Sequence, residues 1–90
     1  MKVIKLNRRF KVFKEHGHEV AVKFGSYNSK ASPLEKVCRS RLSPYHLKNK
    51  NGTWYGWFGK KRSGMHHTPY FISFRKESDL TFVLMCLTTN

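Results

Sequence analysis

The sequence predicts an α+β fold: an antiparallel sheet of four to five strands, with one capped helix over residues 32–43 packed on one face. Three observations predict it. Several short segments alternate apolar and polar residues with the two-residue period of strands. One segment carries a helix-start signal built from a cap, a proline and a carboxylate. The chain has 90 residues, 39% of them apolar and 14% aromatic, enough for one modest core and not for two. Residues 1–90 therefore read as a single compact basic domain.

The first element comes from Arg8 to Lys14, Arg-Arg-Phe-Lys-Val-Phe-Lys. Phe10 and Val12 alternate with Arg9, Lys11 and Phe13, which predicts a strand. Glu15-His16-Gly17-His18 follows as a turn, its glycine free to adopt positive φ. Val20, Val22 and Phe24 then alternate with Ala21 and Lys23, so the two segments read as a hairpin. Met1 to Leu6 is either an additional strand or the start of the first.

Ser32, Pro33 and Glu35 form the helix-start signal. Serine caps, proline takes the first helical position, and Glu35 closes a capping box. Leu34, Val37, Cys38, Arg41 and Leu42 recur at helical spacing, and Pro44 ends the helix. Arg39 and Arg41 lie near its C-terminal end, where cations suit the dipole.

Residues 45–52 read as a mobile basic loop ending in the turn pair Asn51-Gly52. Thr53 to Gly59, Thr-Trp-Tyr-Gly-Trp-Phe-Gly, is aromatic enough to favour a strand. Trp54 and Phe58 share one face, Tyr55 and Trp57 the other, and one pair is expected near the surface. Residues 60–68 form a second mobile basic loop. Pro69 opens another strand, with Tyr70, Ile72 and Phe74 alternating against Phe71, Ser73 and Arg75.

The tail from Lys76 to Leu87 has two readings. As a strand it places Leu80, Phe82, Leu84 and Cys86 on one side. As a helix it has Ser78 as cap and Leu80, Val83, Leu84 and Leu87 at helical spacing, with an acidic opening from Glu77 to Asp79. Periodicity leaves both open.

Eighteen Lys and Arg against five Asp and Glu give a formal charge of +13. Residues 1–30 carry eight basic and two acidic side chains, and residues 31–62 carry eight and one. Residues 63–90 carry two of each. The excess thus sits in the first two thirds, and it exceeds the magnitude of about 2–8 that keeps a small domain soluble. Such a field gathers polyanions. Arg8, Arg9, Lys11, Lys23, Lys48, Lys50, Lys60, Lys61 and Arg62 are the candidate phosphate contacts. Tyr55 and Trp57 are candidates for stacking on bases. The aromatic spacing does not match the signature of an RNA-recognition domain.

Other chemistry is poorly supported by the sequence. His16, His18, His66 and His67 have the right ligand type for a metal but not the spacing, and no Cys-x-x-Cys accompanies them. The five carboxylates are scattered and do not suggest an acid–base pair. A ribonuclease using His66 or His67 beside Lys60–Arg62 is the one conceivable catalyst, and histidines in basic loops are common without it. No cofactor motif occurs. Cys38 and Cys86 stand alone, which points to a reduced, cytoplasmic setting. No apolar run reaches the ~18 residues needed to span a membrane, and lysines and arginines interrupt any signal-peptide core.

The sequence therefore predicts a small, non-catalytic binding protein whose leading partner is nucleic acid. The alternative is a compact inhibitor or adaptor, of the kind viruses encode, docking on an acidic protein surface. The neutral apolar last third suits a protein contact or a homodimer.

Overall fold

The computed structural model describes residues 2–27, 31–42, 53–60, 64 and 67–89. Lys48, Lys50, Lys61, Arg62 and His66 lie outside the described residues, as do Pro44, loop 45–52 and most of loop 60–68. The elements in chain order are β1 (Lys2–Lys5), α1 (Lys11–His16), β2 (Val20–Phe24), α2 (Ala31–Arg41), β3 (Trp54–Phe58), β4 (Tyr70–Phe74) and α3 (Glu77–Thr89). The fold is α+β. One four-stranded sheet has the order β1-β2-β4-β3, with every neighbouring pair antiparallel. β2 and β3 therefore run parallel, joined through α2, with β4 inserted between them.

Both faces of the sheet are covered. On one, Val20, Val22, Phe24, Trp54, Tyr70, Ile72 and Phe74 pack against Ala31, Leu34 and Cys38 of α2 and Leu80 and Val83 of α3. On the other, Ala21 and Phe71 pack against Leu6 and Val12, with Ile4, Phe10, Phe13 and Trp57 around them. This two-sided burial explains why β4 is buried at all five positions. Among the described residues no helix is long and apolar enough to cross a membrane.

The expected hairpin is corrected. Residues 11–16 form helix α1, and β2 pairs instead with β1, from Lys2↔Lys23 to Lys5↔Val20. Asn7 starts the change of direction by accepting the Arg9 N–H on its side-chain oxygen at 2.9 Å. Gly17 closes the helix at φ 69°, donating its N–H to the Phe13 carbonyl, while the His18 N–H reaches the Val12 carbonyl. That is a helix C-cap. A glycine at positive φ serves a hairpin turn and a helix end equally well. Over six residues the two periodicities are hard to separate.

α2 begins at Ala31, so Ser32 and Pro33 lie inside its first turn. Proline is tolerated there because first-turn N–H groups have no intrahelical partner. The buried stripe is Ala31, Leu34, Glu35 and Cys38. Glu35 is therefore not the exposed end of a capping box: Tyr70 donates its hydroxyl to one carboxylate oxygen at 3.1 Å, and Arg39 donates to the other. Arg41, placed by spacing on the apolar side, is exposed.

The tail is a helix. Leu80 and Val83 are buried, and Leu84 and Leu87 pack against the same core, following the helical spacing. Glu77 and Asp79 occupy the first turn, where negative charge is favoured.

Candidate nucleic-acid interface

Strand register sorts the sheet residues into rows. Opposite partners in antiparallel strands share a face. One row on the α1 side runs Lys2, Lys23, Phe71, Trp57, and the next runs Ile4, Ala21, Ser73, Tyr55. Lys2 and Lys23 are exposed. The Lys23 ammonium lies 5.9 Å from the Phe71 ring centre, within cation–π range.

Helix α1 lies on this same face, its Val12 and Phe13 turned to the sheet. Its other positions carry charge outward. Arg8 and Arg9 in the preceding turn, and Lys11 and Lys14 in the helix, are all exposed. The fold thus brings six cations to the α1 side: Lys2, Arg8, Arg9, Lys11, Lys14 and Lys23. Glu15 and Glu19, also exposed, are the acidic residues of this stretch. Lys14 and His16 occupy the last turn of α1, where positive charge favours the helix dipole.

Charge is not confined to this side. Lys36, Arg39 and Arg41 are exposed on α2, across the sheet, and Lys60 is exposed just beyond β3. Of the sequence-derived phosphate contacts, Arg8, Arg9, Lys11 and Lys23 fall together on the α1 side.

The aromatic candidates differ from each other. Trp57 is half-buried. One of its ring faces stacks on Phe71, 4.2 Å between centres and 10° between planes, and Phe10 meets both rings edge-on. Its indole N–H donates to the Ser73 hydroxyl at 3.1 Å. Tyr55 shares that face and is 36% exposed. Two further exposed rings, Tyr27 and Phe58, flank Tyr70 at 4.8 and 4.9 Å on the opposite face. Sequence reasoning missed these two, together with Lys2 and Lys14. The Lys2–Lys23 pair was legible only from the true β1–β2 register.

Beneath the α1 side lies a buried polar node. The Ser73 hydroxyl donates to the Tyr55 carbonyl at 3.3 Å and accepts from Trp57. It also lies 2.8 Å from His18 Nδ1, with donor and acceptor roles in that contact following the imidazole tautomer. Burial is the main cause holding the His18 pKa down to about 4, with smaller contributions from His16 and Arg75, so the ring is neutral at pH 7. A serine beside a histidine resembles an activated nucleophile. Here both are fully buried and bonded among core groups, so the pair tethers β3, β4 and the segment entering β2. His18 is accordingly a core residue rather than part of an exposed turn.

Cys38 is also fully buried, and burial, with Glu35 nearby, pushes its thiol up to about 12. It is a packing residue, not a nucleophile. Among the described residues no group of three His, Cys, Asp or Glu is placed to hold a metal ion.

No known protein family, characterised protein or solved structure matches this chain.

Proposed function

We propose that this protein binds nucleic acid through its α1 side, with Arg8, Arg9, Lys11, Lys14, Lys2 and Lys23 contacting phosphates. The observation that carries the reading is that the β1–β2 register sets Lys2 beside Lys23 on the face that carries α1 and its preceding turn, residues 8–14. Phosphate neutralisation needs an array of exposed cations and little else. Lys60 is exposed just beyond β3 and, with Lys48, Lys50, Lys61 and Arg62, adds to the positive charge of the chain. Tyr55 supplies the exposed ring for a base. Trp57, stacked on Phe71, stiffens the platform.

Binding to a labelled oligonucleotide, measured after nuclease treatment, is expected to weaken steeply with salt. Each phosphate contact contributes about 0.7–0.9 to the slope of log K against log salt. The triple variant Arg8→Ala, Arg9→Ala, Lys11→Ala is expected to lower that slope by about 2–3 on the same basis. Affinity that ignores both salt and the triple variant overturns the reading.

A second reading rests on a different surface. Phe82 and Met85 of α3 are exposed, and Met85 is 61% accessible, which suits contact with a partner protein. In that reading the protein is a small adaptor or inhibitor whose cationic side faces carboxylates. Recovery of a protein complex from lysate that survives nuclease treatment supports it over nucleic-acid binding.

A further inference from the structure

β3 forms one edge of the sheet, and its hydrogen-bond parity can be read from its ends. The Gly59 N–H donates to the Pro69 carbonyl at 2.8 Å, and the Arg75 N–H donates to the Thr53 carbonyl at 3.0 Å. In an antiparallel ladder the paired positions alternate. Residues 53, 55, 57 and 59 therefore turn their backbone polar groups toward β4. Trp54, Gly56 and Phe58 turn theirs outward. Among the described residues no strand lies beyond β3.

The two edges of the sheet are guarded differently. β1 carries Lys2 and Lys5, and lysine on an edge strand discourages pairing with another chain. Thr53 to Gly59 contains no charge and no proline, and β3 pairs with β4 in unbroken register from Trp54↔Phe74 to Phe58↔Tyr70, without a bulge. Its Phe58 side chain is 60% exposed. In a chain of formal charge +13, this uncharged stretch adds no like-charge repulsion of its own between two copies.

The strand is also self-complementary. We propose that a second copy of this chain pairs with the β3 edge, antiparallel, about a two-fold axis at Gly56. The outward-facing positions 54, 56 and 58 are symmetric about that glycine. Gly56 then lies opposite its own copy, and Trp54 lies opposite Phe58 of the second copy, twice over. On the α1 side, Tyr55 lies opposite Trp57. Each is an aromatic cross-strand pair, a type that stabilises strand pairing. The result is a continuous eight-stranded sheet. With the axis perpendicular to the sheet, the α1 layers of both copies fall on the same side, giving a doubled α1 face with one cationic cluster toward each end of the sheet.

The test is the mass of the full, nuclease-treated chain by sedimentation, up to about 300 µM, a range that suits a small interface of micromolar affinity. The expected result is a mass rising from 10.6 kDa toward twice that value, with the dimer favoured at high salt because screening relieves like-charge repulsion. Phe58→Pro removes an outward N–H and no bond to β4, and is expected to give a monomer. Phe58→Lys, a change at an exposed side chain, is the second variant should proline disturb the fold. It is expected to weaken dimerisation at least tenfold. A wild-type chain that stays monomeric at the highest concentration in high salt overturns the proposal. So does a dimer that weakens as salt rises, or one that survives both Phe58 variants and is lost in Met85→Lys on α3.

Discussion

Ser73 is a single hydroxyl that serves three partners. It holds the Trp57 indole, the His18 ring and the Tyr55 carbonyl where no water is needed to complete the set. Ser73→Ala removes the hydroxyl that the half-buried Trp57 indole N–H and the buried His18 ring both contact. An unmet buried donor costs about 1–3 kcal/mol, so a chemical denaturation curve is expected to lose about 2–4 kcal/mol by the same reasoning. His18 adds a pH dependence with a definite sign. Its folded pKa is about 4 against an ordinary 6.5. Between those values the unfolded chain takes up a proton that the folded chain refuses, so stability rises with pH across that window. The contribution is complete above about pH 6.5, is lost as pH falls toward 4, and approaches about 3 kcal/mol in full. Unfolding midpoints from pH 7 down to pH 4 check this, and His18→Gln is expected to flatten that part of the curve.

At the scale of elements, α1 is the least secured part of the proposed interface and carries much of its charge. It has six residues and no side-chain cap at Phe10, too short to persist without packing. Gly17 ends it at φ 69° with open space around its α-carbon. Gly17→Ala therefore meets backbone strain alone, of about 1–2 kcal/mol. The expected outcome is faster amide exchange in residues 11–16 and weaker oligonucleotide binding, while β2 and β4 stay protected. Unchanged exchange in α1 would count against its role as the support for Lys11 and Lys14. Gly56 contrasts with Gly17. A β-carbon there would collide with the Tyr70 hydroxyl, which donates to the buried Glu35. This glycine is kept for space, and its central place in β3 also sets the proposed two-fold axis.

At the scale of the whole molecule, one charge excess favours one equilibrium and opposes another, and salt shifts the two in opposite directions. Nucleic-acid binding releases counterions and weakens with salt. Pairing of two like-charged copies strengthens with salt. A titration of mass and of affinity over the same salt series therefore separates dimerisation from nucleic-acid binding. If both hold, a polyanion lying across the doubled α1 face also favours the dimer, because it neutralises the repulsion between copies.

The α+β class, β2, β3, β4 and the existence of α2 were legible because their patterns are local: period two over five residues, or a helix signal reinforced by an apolar stripe. The helical reading of 77–89 was equally legible, but a strand reading competed with it until Leu80, Val83, Leu84 and Leu87 were seen to share one core. The region 8–18 was misread because Phe10, Val12 and Gly17 fit a hairpin as well as a capped helix. Glu35 was misread because a capping box and a buried i, i+4 partner of Arg39 look alike in sequence.

The amino-acid order alone determined where the charge lies along the chain and which segments alternate, since both are properties of neighbouring residues. Only the tertiary structure decided which strand pairs with β2, and so that Lys2 stands beside Lys23. It also decided that Trp57 lies against Phe71 while Tyr55 stays 36% exposed, and that among the described residues β3 is an edge. Those facts depend on contacts between residues far apart in the chain, whose energies outweigh local preference and leave no trace in local spacing.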